Sequence, residues 1–305
     1  MSANLNVNHN EFRGVWTAIA TPFLDDGSVD WKAFEKLLAL QSQAKVKGVI
    51  ISGTTGESPT LSVQEKLSLV RKARAVLDRS VRVMAGSGGN STDQSIELSK
   101  LCLDGGADSL LIVTPPYNKP SPAGLHLHYT KIAEATKAPI CLYHVPGRTA
   151  QFLSVETLDA LCKISGVVAV KEASGDIAYF SRAVTKTGRS FLSGDDPTYL
   201  ASLAVGGHGV ISVVSNVFPA ETVAMTNAWF SGNTALALRY HNVLMTSIDA
   251  LFCEANPGPL KAALAILDLA KNVVRAPLAP VTAANYSMIK STLERTQREL
   301  AAIKS

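Results

Sequence analysis

The sequence predicts an α/β protein, a (β/α)8 TIM barrel with a C-terminal helical extension, and three observations predict it. From residue 14 to about 231, a short apolar β-branched run, a loop rich in Gly, Thr, Pro or Asn, and an amphipathic stretch follow one another repeatedly. That alternation is the pattern of β/α units around a parallel sheet. Eight such runs occur at regular spacing with no long break, which favours a closed barrel over an open sheet. A chain of 305 residues, 47% apolar and 18% charged, can bury a large core. Its length fits either two ordinary domains or one barrel of about 250 residues with an appendage.

Taken in order, the predicted strands cover 15–21, 48–52, 81–85, 109–113, 140–144, 167–171, 190–193 and 209–213. Between the second and third, Ser62 with Glu65 three residues later forms a capping box. Val63, Leu67, Val70 and Leu77 then keep an apolar stripe while Lys66, Arg71 and Arg74 face outward. Ser121-Pro122 and Asn256-Pro257 each place a capping residue before a proline at the first helical position, so both read as helix starts. Past residue 231 no strand-like run is clear, and three helical stretches follow at 234–253, 257–270 and 284–303. The expected organisation is a catalytic barrel over 1–231 and a helical region over 232–305.

The 29 basic and 25 acidic residues balance to +4, and the longest basic cluster, Arg71-Lys72-Ala73-Arg74, sits in a mixed-charge helix. A nucleic-acid surface is not indicated. The polar N-terminus lacks a secretory apolar segment, and no run approaches the roughly 18 apolar residues of a membrane span, so a cytoplasmic location is expected. Cys102, Cys141, Cys162 and Cys253 stand far apart with no CxxC pair, which suggests buried thiols rather than zinc or disulfides.

In such a barrel chemistry lies at the C-terminal ends of the strands. Lys171 follows Gly-Val-Val-Ala-Val and is the one lysine that closes a buried-looking strand. Lost hydration disfavours an ammonium there and favours a nucleophilic amine, making Lys171 a candidate Schiff-base former; the plainer alternative is a lysine that snorkels to the rim. Tyr143 ends the preceding strand and converges on Lys171 if the pleats agree, where a phenol can shuttle protons. Arg148, five residues on, is a loop arginine suited to fork onto a carboxylate.

Gly53-Thr54-Thr55-Gly56-Glu57-Ser58 permits a tight turn that aims backbone N–H groups and hydroxyls at an anion, and it is neither a Walker loop nor a nucleophile elbow. Gly86-Ser87-Gly88-Gly89-Asn90-Ser91 lacks the third glycine of a dinucleotide fingerprint. His126 and His128 lie two apart on a helix and do not share a metal, and Asp195-Asp196 reads as a loop and cap. Lys261 has no apolar strand before it and is set aside.

These residues, read in order, resemble the dihydrodipicolinate synthase and N-acetylneuraminate lyase family of pyruvate-dependent class I aldolases. The similarity spans almost the whole chain. It rests on the 53–58 motif, Thr-Pro-Pro-Tyr-Asn-Lys-Pro at 114–120, Leu-Tyr-His-Val-Pro-Gly-Arg-Thr at 142–149, Val-Lys-Glu-Ala-Ser-Gly at 170–175, Ser-Gly-Asp-Asp at 193–196 and Gly-Gly-His-Gly-Val-Ile-Ser at 206–212.

The resemblance implies that Lys171 condenses with the keto carbon of pyruvate and that Tyr143 relays protons through Thr55 and Tyr117. It implies that Tyr117 reaches in from a neighbouring subunit, within a homotetramer built from tight dimers. Thr54 and Thr55 hold the pyruvate carboxylate in that pattern, and Gly194 and the Ile211 carbonyl line the pocket. No metal or organic cofactor is implied. Arg148 matches the synthase branch, where the acceptor is aspartate semialdehyde and the product feeds diaminopimelate and lysine biosynthesis. A sugar-acid aldolase or dehydratase is the runner-up, and a non-catalytic keto-acid-binding barrel is the alternative of another class. Pro116, Val63, Lys66 and Gln94 depart from the pattern of lysine-inhibited members although Asn90 is retained, so feedback by L-lysine is expected to be weak or lost. His144 replaces the more usual asparagine, and strand alternation is expected to point it away from Tyr143.

Overall fold

The structure is a computed structural model, and it describes residues 11–304. Its strands are β1 (Gly14–Ala18), β2 (Gly48–Ile51), β3 (Arg82–Gly86), β4 (Ser109–Val113), β5 (Ile140–His144), β6 (Val167–Glu172), β7 (Ser190–Ser193) and β8 (Gly209–Ser212). They follow one another in chain order around a closed barrel. The helices are α1 (Trp31–Gln43), α2 (Val63–Val76), α3 (Thr92–Asp104), α4 (Pro122–Thr136), the single turn α5 (Pro146–Thr149), α6 (Val155–Cys162), α7 (Ile177–Thr187), α8 (Tyr199–Ala204), α9 (Pro219–Phe230), α10 (Thr234–Leu251), α11 (Gly258–Ile266) and α12 (Ala283–Lys304). Among the described residues no helix is long and apolar enough to cross a membrane.

Contacts divide the chain into two compact units. One is the continuous stretch Arg82–Ile211. Its core gathers Leu110 and Ile112 of β4, Ile140 and Leu142 of β5, Val167 and Val170 of β6, and the inward faces of α4, α6 and α7. Neighbouring strands β3 to β8 pair in parallel, each four to six residues long.

The other unit joins Gly14–Val81 to the residues from Ser212 onward. β1 pairs in parallel with β2. The first strand ends three residues earlier than the apolar run predicts, because Ala20 N–H turns to the Asn216 side-chain oxygen at 3.1 Å and the Asn216 amide donates to the Ala18 carbonyl at 2.9 Å. Ser62 and Glu65 do form the capping box on α2. Val63, predicted to lie on the apolar stripe, is exposed at the first helical position, outside the face on which Leu67, Leu69 and Val70 pack. Asn256 does not cap the next helix: α11 begins at Gly258 after Pro257, and the Asn256 side chain is turned elsewhere. α10 and α12 pack against each other, with Ser247 Oγ donating to Thr296 Oγ1 at 2.8 Å; Leu244 and Leu251 of α10 and Ile289 and Leu293 of α12 are buried.

Among the groups that lower stability in acid, Glu65 and His128 are displaced furthest. Hydrogen bonds from Arg275 hold the Glu65 carboxyl at about 2, against its usual 4.5. Burial pushes His128 down to about 4 from 6.5. Both folded values lie below the unfolded ones, so the unfolded chain binds more protons and stability falls as pH drops. The expected loss runs from about pH 6.5 to 4 for His128 and from about 4.5 to 2 for Glu65. Unfolding midpoints measured across this range check it, and Arg275→Gln is expected to flatten the lower window alone.

Candidate active site

Strands β5 and β6 are buried along their whole length, as parallel strands covered on both faces must be. They pair with Tyr143 opposite Lys171 and His144 opposite Glu172. Side chains alternate along a strand, so the first pair shares one face and the second pair the other. Lys171 Nζ lies 4.1 Å from the centroid of the Tyr143 ring, and each side chain is only 6% exposed. The amine therefore meets a phenol's π-face at cation–π distance, out of bulk water.

Gly194 makes room for this arrangement. It follows β7, and its N–H donates to the Glu172 carbonyl at 2.6 Å. A Cβ placed on it would stand 2.7 Å from both Ala173 Cβ and Lys171 Cε and 3.0 Å from Lys171 Cγ. The lysine stem and Ala173 occupy the space a side chain would need. Gly194→Ala is expected to shift the amine and lower turnover at least about 100-fold, and to lower the unfolding midpoint as well because Ala173 Cβ has no rotamer to yield. Wild-type turnover in that variant would show that the stem has another route.

On the opposite face, the Leu153 N–H donates to His144 Nε2 at 3.2 Å. An accepting Nε2 leaves the proton on Nδ1, which donates to Glu172 Oε1 at 3.2 Å. The ring packs against Phe152 and Tyr179 at centroid separations of 5.1 and 5.3 Å. His144 thus faces away from Tyr143 and fastens the 144–153 segment to β6. Within that segment Arg148 sits on the exposed side of α5, while Thr149 Oγ1 donates to the Val145 carbonyl and anchors the turn. Cys141, two residues before Tyr143, is fully buried, and burial pushes its thiol up to about 12, with the Lys171 charge acting in the opposite sense. It stays a thiol at neutral pH.

Tyr117 stands apart from this cluster. Its side chain is 90% exposed and its backbone adopts φ 73°, a left-handed conformation rare for an aromatic residue. The neighbouring Asn118 side chain donates to the Asn90 carbonyl at 2.8 Å and holds the loop. Ile211 is buried in β8.

Thr54 and Thr55 belong to the unit that joins Gly14–Val81 to the residues from Ser212 onward, in the turn after β2. Gly56 N–H and Ser58 N–H donate to the Gly53 carbonyl, and Glu57 N–H to that of Thr54. Ser52 and Glu57 both adopt φ 57°. Thr54 is half-buried; Thr55 is buried, and its Oγ1 accepts a hydrogen bond from Asn256 Nδ2 at 3.0 Å. The Glu57 carboxylate lies 2.9 Å from Lys261 Nζ, with both side chains fully buried. Glu57 Oε2 also accepts the Arg275 N–H at 2.9 Å. Local pattern reads Asn256 only as a helix cap, sets Lys261 aside and passes over Arg275. The one available signal was a lysine inside Leu-Lys-Ala-Ala-Leu-Ala, a run too apolar for a solvated helix face. Among the described residues no three His, Cys, Asp or Glu side chains gather as a metal ligand set.

Residues 11–296 match the dihydrodipicolinate synthetase family. A 4-hydroxy-tetrahydrodipicolinate synthase of Methanothrix thermoacetophila is 43% identical over 93% of this chain and 97% of its own. The structure of the enzyme of that name from Methylacidiphilum fumariolicum SolV superposes with a TM-score of 0.93 at 39% identity, covering 96% of this chain and 98% of the other. A structure described as the first monomeric dihydrodipicolinate synthase variant gives the same TM-score at 38% identity, covering 95% and 99%. A match over nearly the full length, with relatives near this identity, leaves one assignment: the chain belongs to the dihydrodipicolinate synthetase family.

Proposed function

We propose that the chain is a 4-hydroxy-tetrahydrodipicolinate synthase, condensing pyruvate with aspartate semialdehyde through a Schiff base on Lys171. The observation that carries the reading is the buried Lys171 amine against the Tyr143 ring, with Gly194 giving way to the lysine stem. The neutral amine adds to the keto carbon, a proton passes to the departing oxygen, and water leaves to give the imine. The imine withdraws electrons, a methyl proton is lost, and the enamine carbon attacks the aldehyde. Tyr143, in contact with the amine, moves the protons. Arg148, exposed on its turn, binds the carboxylate of the aldehyde substrate. Gly194 and the Ile211 carbonyl line the pyruvate pocket in this proposal.

Thr54 and Thr55 bind the pyruvate carboxylate through hydroxyl and amide donors. Thr55 accepts one hydrogen bond from Asn256, which leaves its second lone pair and its own proton for the relay with Tyr143 and Tyr117. Tyr117, exposed and held in a left-handed conformation, completes the relay in a neighbouring copy, within a homotetramer of tight dimers. Full activity from a monomer in sedimentation-matched assays would overturn that assembly.

Borohydride added with pyruvate tests the chemistry: a mass increase on Lys171 is expected, and no adduct would leave a keto-acid binder. Coupled assays with aspartate semialdehyde and with sugar acids test the acceptor. L-lysine is expected to inhibit weakly or not at all, given Pro116, Val63, Lys66 and Gln94. Full inhibition by submillimolar lysine in a steady-state assay would contradict that.

A further inference from the structure

We propose that Asn256 is a positioning residue that orients the Thr55 hydroxyl, and that the buried Lys261–Glu57 pair with Arg275 holds the loop on which Thr55 stands. The inference rests on the pyruvate-binding reading of that loop. Ser52 and Glu57, which shape the 52–58 turn, are non-glycine residues at positive φ. The Ser58 N–H to Gly53 carbonyl and Glu57 N–H to Thr54 carbonyl bonds accommodate Glu57 from within the loop, and side chains from outside the loop add to them.

The holding groups come from the C-terminal region. The Lys261 ammonium has three protons and three partners: the Thr21 carbonyl at 2.6 Å, the Val273 carbonyl at 2.9 Å and the Glu57 carboxylate at 2.9 Å. Its charge also lies 4.3 Å from the Phe23 ring centroid. Thr21 in turn donates its hydroxyl to the Gly56 carbonyl at 2.8 Å, so one lysine fixes the loop from two sides. Arg275 closes the far end, donating to the Thr60 and Gly27 carbonyls and to both oxygens of Glu65.

Within that frame Asn256 touches the site directly. Its Nδ2 donates to Thr55 Oγ1 at 3.0 Å. With one lone pair engaged, the Thr55 hydroxyl directs its own proton away from Asn256, as a preorganised donor for an anion. The Asn256 side chain is itself buried, and its Oδ1 has no hydrogen-bond partner among the described residues. A core asparagine kept for packing would not be expected to leave an acceptor unpaired. Its value lies in the donor it aims at Thr55.

The test uses the full-length enzyme, with steady-state constants for each substrate, borohydride trapping with pyruvate and unfolding midpoints. Asn256→Ala is expected to raise the pyruvate KM roughly five- to tenfold, leaving the aldehyde KM unchanged. Asn256→Asp fills the same space without the amide donor and is expected to lose at least as much. A wild-type pyruvate KM in Asn256→Asp would mean that Asn256 only fills space, overturning the proposal. In a Thr55→Val background Asn256→Ala is expected to add nothing, whereas additive effects would overturn it equally. Should Asn256→Ala fail to fold, Asn256→Asp and Asn256→Ser carry the comparison. Wild-type enzyme that forms no adduct with pyruvate would remove the functional reading and this proposal with it. Normal trapping with unaltered variants would remove this proposal alone.

Discussion

Replacing Lys171 by alanine is expected to abolish borohydride-trappable pyruvate and to lower turnover by at least about a thousandfold, the scale on which enzymes lose a covalent nucleophile. Folding is expected to survive, because Lys171 lies against Tyr143 on a strand whose other residues make the core contacts. Lys171→Arg keeps the charge and removes the nucleophile, so it separates binding from chemistry: pyruvate still competes for the site while the adduct disappears. Appreciable activity in either variant, with Lys171 mass unchanged in the wild-type enzyme after trapping, would end the Schiff-base mechanism.

The largest expected effect on stability belongs to Lys261→Met. The methionine matches the stem but leaves the Glu57 carboxylate buried without its cation. Breaking one side of a buried pair costs about 3–5 kcal/mol, whereas replacing both sides is often close to neutral. The unfolding midpoint is therefore expected to fall by roughly 5–8 °C in Lys261→Met. Much of it should return in the double variant with Glu57→Gln. Burial pushes the Lys261 ammonium below its ordinary value while Glu57 acts in the opposite sense. An undiminished midpoint in the single variant would mean that Arg275 and the backbone donors satisfy Glu57 unaided.

The residues legible in the sequence share one property: their meaning is local. Lys171 and Tyr143 each close an apolar run, and a parallel register then brings them together. Ser62 with Glu65 reads as a cap because both partners lie within one turn of helix. Asn256 was misread because Asn-Pro is also a good helix start; nothing nearby reveals a hydrogen bond to a residue 201 positions earlier. Lys261 was set aside for lacking a strand, though its partners lie up to 240 residues away. Gly194 is a case between the two. Its motif marks it, but why it must be glycine appears only when the Lys171 stem is seen to fill its side-chain space. Val63 shows the limit of periodicity itself: the first helical residue can keep the phase and still overhang the packed face.

The division of the chain has a consequence for how it is made. Arg82–Ile211 is continuous, so its strands and helices can pack as they leave the ribosome. The unit before it contains Glu57, whose Arg275 donor lies 218 residues downstream. At a synthesis rate of about 5–20 residues per second, that donor follows on the order of 10–40 s later. Over that interval the 53–58 loop has neither its cation nor Asn256, and the apolar faces of α1 and α2 lack the C-terminal residues of their own unit. The segment from Gly14 to Val81 is thus made before Arg82–Ile211 yet finished after it, and a nascent chain arrested before Asn256 presents an incomplete pyruvate loop to the cell's chaperones and proteases.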